Sequence, residues 1–197
     1  MIIDHYNKTV SIKIVYFGPA LSGKTTSIKA LFSHFGKVDK IHSIESTIKR
    51  TLFFDYGTIT FQNEEYKLKV HLYSTTGQDF YAITRQITLR ATDGVIFVVD
   101  SQKDVYERNL FSWSELISYY QEKIDDLPII IAFNKQDLPD KFNSIAFLKK
   151  IDYHKYRNID SRYTIAISGE EVLKCFEDIL RLILKRYYYY KLISQVN

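Results

Sequence analysis

Cysteine is almost missing from this chain. Cys175 is the single one among 197 residues, which excludes an intrachain disulfide. Its neighbours place it on a helix face, as a buried structural thiol rather than a reactive one. Proline (three) and glycine (seven) are scarce, which argues against disordered linkers. No internal repeat occurs. No apolar run reaches the length of a membrane span, and no signal peptide precedes the first strand. Ile2 stands where myristoylation needs glycine, and the terminal Ser194-Gln195-Val196-Asn197 carries no prenylation cysteine. The expectation is a cytoplasmic protein without an encoded lipid anchor. A dense Lys/Arg block is also absent, so the net charge of +4 permits anionic lipid or acidic partners but disfavours nucleic acid. His5, His34, His42, His71 and His154 are scattered without ligand spacing.

What is present is a long, apolar and aromatic-rich chain. Hydrophobic residues make up 46%, with 16 Tyr and 13 Phe, enough for one domain over 1–197 with a substantial core. Apolar strands alternate with helical patterns, which predicts an α/β sheet covered on both faces. Strands are expected at residues 12–17, 52–62, 66–73, 94–100, 128–133 and 163–167. The short turn Asn63-Glu64-Glu65 makes the second and third an antiparallel hairpin. Helices are expected near 24–35, 104–122 and from Glu170 onward, with a loop and helix over 78–92 and residues 37–50 as a polar loop. Tyr187–Tyr190 reads as the end of an amphipathic helix, partly packed and partly wet, rather than as a membrane-interface belt.

The strand at 12–17 runs into Gly18-Pro19-Ala20-Leu21-Ser22-Gly23-Lys24-Thr25, which fits G-x-x-x-x-G-K-S/T between a strand and a helix. Gly18 and Gly23 let the backbone curl, so that the amides of Leu21, Ser22, Gly23 and the following Lys24, Thr25 and Thr26 cradle phosphate oxygens. The helix N-terminus adds partial positive charge. Lys24 would reach the β- and γ-phosphates, and the Thr25 hydroxyl would ligate Mg²⁺. The motif alone does not choose between ATP and GTP.

Asn134-Lys135-Gln136-Asp137 closes the apolar strand before it. Ligands bind at the C-terminal ends of strands in such sheets, which puts this loop beside the phosphate loop. The Asp137 carboxylate can accept from the guanine N1–H and N2 amine, a donor pair that adenine lacks, and a site built on such bonds rejects analogues without them. Asn134 would brace the loop, and the Lys135 stem would cover the purine.

At this point the sequence resembles the Ras/Arf superfamily of small GTPases, and within it the MglA-type GTPases of bacteria and archaea. The stretches that carry the resemblance include 13–19, Arg50-Thr51-Leu52-Phe53-Phe54-Asp55, His71-Leu72-Tyr73 with Gly77-Gln78, 93–102 and 134–139, and they span about residues 10–185. The resemblance implies a P-loop NTPase fold of the small G-domain type: a mostly parallel six-stranded sheet with helices on both faces and one antiparallel hairpin strand. It implies binding of GTP and GDP with Mg²⁺, slow GTP hydrolysis, and a roadblock-domain partner that promotes it.

By the same resemblance Thr51 is the first-switch threonine, meeting Mg²⁺, with Thr47 as a rival. Arg50 is an arginine finger supplied by the chain itself, although the residues alone equally allow a solvated arginine after Lys49. Gly77 would sense the γ-phosphate, and Gln78 would orient the attacking water. Aromatics near these loops, such as Phe53 and Phe80, would read the nucleotide state to a partner. The chain departs from the superfamily at Ser74, where the usual second switch has an aspartate that holds Mg²⁺ through water. MglA-type proteins also carry a hydroxyl residue there, and Asp55 stands as either a helper or a structural residue. Ala166-Ile167-Ser168 aligns with the last base-binding loop, which puts the Ser168 amide towards guanine O6. The leading expectation is a GTP-hydrolysing switch; the alternative is a non-catalytic guanine-nucleotide scaffold with a weakened Mg²⁺ site.

Overall fold

The computed structural model describes residues 1–36, 41–45, 51–75 and 82–196, with the backbone alone at 41–45, 51–55, 82–84 and 194–196. The described strands are β1 (Ile2–Asp4), β2 (Thr9–Phe17), β3 (Ile41–Glu45), β4 (Thr51–Gln62), β5 (Lys67–Thr75), β6 (Gly94–Asp100), β7 (Ile129–Asn134) and β8 (Ile159–Tyr163). The helices are α1 (Lys24–His34), α2 (Ala82–Leu89), α3 (Tyr106–Tyr120), α4 (Ser144–Lys150) and α5 (Val172–Val196).

The strands form one sheet in the order β3-β4-β5-β2-β6-β7-β8, with β1 paired to β2. From β5 to β8 every neighbour is parallel. The β4–β5 hairpin is antiparallel, as expected, and β3 on β4 and β1 on β2 add two more antiparallel pairs. The α/β small G-domain architecture therefore holds, with eight strands among the described residues where six were expected. β3 lies inside the segment expected to be loop. β8 ends where the last strand was expected to begin.

Alternation explains why β6 has no polar face. Val95, Phe97 and Val99 point to one side, where they meet Trp113 and Leu116 of α3 and Phe147 of α4. Ile96 and Val98 point to the other, towards α1 and α5, through Ile28, Phe32, Phe176, Ile179 and Ile183. A strand buried on both faces must be apolar at every position. Each such aliphatic side chain contributes roughly 1.5–3 kcal/mol relative to exposure. On α5, Val172, Phe176, Ile179 and Ile183 are buried and Leu180 is half-buried. Cys175 lies in the same core, and burial pushes its thiol up to about 12.

This layering sets the direction of α5. The helix starts after the loop that leaves β8, beside the C-terminal ends of the parallel strands. Its far end reaches the opposite edge, where Arg186 and Tyr190 both bond Asp126, just before β7.

Candidate nucleotide-binding site

The turn from β2 into α1 is built on left-handed backbone. Gly18, Leu21 and Gly23 have φ of 143°, 64° and 103°. A Cβ on Gly18 would stand 2.3 Å from the Val98 carbonyl oxygen, and one on Gly23 would stand 2.2 Å from Asn134 Nδ2. Both glycines are thus required by conformation and by space. Lys24 is buried, and its ammonium donates to the carbonyls of Gly18 at 2.9 Å and Pro19 at 2.6 Å. It arches back over its own loop. The first turn of α1 carries no acidic residue, so nothing in that turn opposes an anion at this helix N-terminus. Thr25 is half-buried, while Leu21 and Thr26 are exposed. The Ser22 hydroxyl is fully buried without a hydrogen-bond partner among the described residues.

Asn134 ends β7 and is buried. Its Nδ2 donates to the Ser22 carbonyl at 2.8 Å, and its Oδ1 accepts from the Ala166 amide at 2.9 Å and Thr164 Oγ1 at 3.3 Å. One side chain therefore joins the phosphate loop, the Asn-Lys-Gln-Asp loop and the loop after β8. Lys135 adopts φ of 65°. Its ammonium pairs with Asp100 Oδ2 at 2.6 Å. The Asp137 carboxylate is exposed. Ser168 is exposed too, and its hydroxyl turns back to the Ile165 carbonyl at 3.1 Å.

Asp100 carries a part of this arrangement that the sequence does not assign. Asp100 is buried at the end of β6, in register with Asn134. Its backbone is clasped by Asn109 of α3, whose Oδ1 accepts from the Asp100 amide at 3.0 Å and whose Nδ2 donates to the Asp100 carbonyl at 2.8 Å. An acid closing an otherwise apolar strand is the available signal: burial of a carboxylate is costly unless it is paired.

At the switch side, Arg50, Gly77 and Gln78 lie outside the described residues, as do Thr47 and Phe80. Thr51 opens β4, and its side chain is not described. Ser74 and Thr75, just past the strand expected at 66–73, belong to β5 and are buried. Ser74 is in register with Tyr16 on one side and Asp55 on the other. The Thr75 hydroxyl donates to the Tyr16 carbonyl at 3.3 Å. The chain thus enters Thr76-Gly77-Gln78 from a point next to the start of the phosphate loop. No group of three or more His, Cys, Asp or Glu side chains that could hold a metal occurs among the described residues.

The sheet order and the glycine-lined turn ahead of α1 define a P-loop protein of the small G-domain class. Residues 13–137 match the family model described as Ras of Complex, Roc, domain of DAPkinase. The chain is 31% identical over 188 residues to the mutual gliding-motility protein MglA of Myxococcus xanthus, covering 92% of this chain and 95% of that protein. It is 29% identical over 133 residues to an uncharacterized protein of Methanocaldococcus jannaschii, covering 68% of this chain and 75% of the other. The chain belongs to the MglA-type small GTPases.

Proposed function

We propose that this single domain is a cytoplasmic molecular switch that binds GTP or GDP with Mg²⁺ and hydrolyses GTP slowly. The observation that carries this reading is the Asn134–Ser22 bond, because it links a phosphate-type loop to a guanine-type loop in one rigid unit. Lys24 would exchange the Gly18 and Pro19 carbonyls for phosphate oxygens, joined by the amides of residues 21–26. Asp137, exposed and acceptor-only, would take the guanine N1–H and N2 amine. Lys135, held at its tip by Asp100, would lay its stem on the purine. The Ser168 amide would meet O6.

Thr25 and Thr51 would hold the Mg²⁺, which supplies charge neutralisation between the phosphates when bound. Gly77 would sense the γ-phosphate, Gln78 would orient water, and Arg50 would offset charge on the transferring group. A roadblock-domain regulator would accelerate hydrolysis.

A paired titration of GTP and ATP into nucleotide-free protein tests the base site, and single-turnover hydrolysis tests the chemistry. Strong GTP preference with measurable turnover is expected; equal ATP binding would overturn the guanine assignment. A second reading, a guanine-nucleotide scaffold without catalysis, is favoured by one observation: the buried position at Ser74 is neutral. Tight GTP binding with no turnover, even with a roadblock protein present, would select it.

A further inference from the structure

The second half of α5 has outrun its core. Ile183 is the final buried residue among the described side chains of the helix. Beyond it, large apolar and aromatic side chains face solvent: Leu184, Tyr188, Leu192 and, beside them, Tyr189 and Ile193. Leu184, Tyr188 and Leu192 are spaced i, i+4, i+8, so they form one stripe. A helical wheel puts that stripe about opposite Ile179 and Ile183, which pack on the sheet. The exposures are high, 60% at Tyr188 and 64% at Leu192.

The charge along this segment has one sign. After Asp178 the chain has Arg181, Lys185, Arg186 and Lys191 and no acidic side chain. Arg181 bonds Asp178 yet remains largely exposed. Beside the stripe runs a groove of about 490 Å³ lined by Arg157, Lys185, Tyr188, Tyr189 and Leu192. The carboxylate of Asp126 also lines it, already bonded by Arg186 and Tyr190.

Against the reading that the sequence alone favours for Tyr187–Tyr190, we propose that the outward face of α5 beyond Ile183 docks on an anionic membrane surface, with Leu184, Tyr188 and Leu192 at the headgroup boundary and Arg157, Arg181 and Lys185 on the acidic headgroups. Arg181 and Lys185 share this face with Tyr188 and Leu192, and long cationic side chains set among tyrosine and leucine keep their charged heads at headgroup level while stems and rings meet the apolar boundary.

A second copy of the chain fits this surface poorly. Stripe against stripe would bring Lys185, Arg186 and Lys191 of both helices together, with no acidic side chain on either helix after Asp178 to pair them. The segment also leaves the sheet edge opposite the phosphate loop, so a membrane here would leave the nucleotide site open to regulators. This is surface docking: no helix among the described residues is long and apolar enough to cross a membrane.

Vesicle co-sedimentation of the full chain tests the proposal, with phosphatidylcholine alone or mixed with phosphatidylserine. Binding is expected only to the mixed vesicles, falling as salt rises. Lys185→Gln should weaken it about fivefold, and Leu192→Ser should weaken it further, both with unchanged thermal unfolding. No binding of the folded chain to the mixed vesicles would overturn the proposal. Equal binding to both vesicle types would overturn its charge requirement. A dimer that Leu192→Ser dissociates, with no vesicle affinity, would assign the face to a second copy instead.

Discussion

The Asn134 side-chain amide donates to the Ser22 carbonyl at 2.8 Å, across 112 positions of sequence. The same side chain accepts from Ala166, so three loops share one buried amide. Asn134→Ala should leave the Ser22 carbonyl and the Ala166 amide without this partner. Leaving buried polar groups unsatisfied costs about 1–3 kcal/mol each. The unfolding temperature should fall measurably, and GDP dissociation followed with a fluorescent analogue should speed up at least tenfold. Unchanged dissociation would show that the loops are positioned by other means.

Asp100 and Lys135 form a pair in which the acid is buried and the lysine is partly exposed. Asp100→Asn keeps the shape and removes the charge that holds the ammonium. The Lys135 stem should then wander, with GDP affinity reduced roughly tenfold, the size of one charge-assisted hydrogen bond. Calorimetric titration measures this, and a fall in ATP affinity of equal size would separate a general loss of order from a loss at the base.

Asp137 is exposed, so Asp137→Asn should not lower stability. It should shift preference from GTP to xanthosine triphosphate, because the amide offers a donor where the carboxylate accepted. Competition binding with the two nucleotides reads this directly.

Arg50→Ala should slow partner-stimulated hydrolysis by roughly 10³–10⁵-fold, the range of an arginine finger, with little effect on GDP affinity. Gln78→Leu should slow turnover with GTP binding retained. Single-turnover assays check both; loss of binding alone would make Arg50 a binding residue.

Burial raises the Cys175 thiol to about 12 from the ordinary value of 9.0. The folded state therefore resists the thiolate. This contribution to stability is fully present below pH about 9 and is lost as pH climbs from 9 towards 12. Thiol-reagent labelling at pH of about 8, below that window, should be slow in the native protein and fast in denaturant. Fast native labelling would show that the helix face opens.

Much of the sheet is legible in the sequence because buried strands cannot hide their composition. Gly94–Asp100 and Ile129–Asn134 are apolar almost throughout because both faces are covered. β8 falls earlier than its apolar signal suggests because Ile159–Tyr163 is an edge strand with Asp160 and Arg162 in it, and no residue of it is fully buried. β1 and β3 are short edge pieces, where pairing to one neighbour demands little of the side chains. α4 escapes the periodicity although its signal is present: Asn143 caps it, accepting from the amides of Ile145 and Ala146. The phosphate and base motifs are readable because their chemistry fixes residue type and spacing. The tie between them is not, because Asn134–Ser22 and Asp100–Lys135 are contacts that only the parallel sheet creates.

Asn109 grips both the amide and the carbonyl of Asp100, and Asp100 holds Lys135. α3 is thus geared to the base loop through two hydrogen bonds and one ion pair. If Lys135 covers a purine as proposed, a regulator that drew on α3 from outside would tilt the end of β6 and lift the lysine from the base without touching the nucleotide. Ejection of the bound base would then be set by leverage on a distant helix rather than by competition within the pocket.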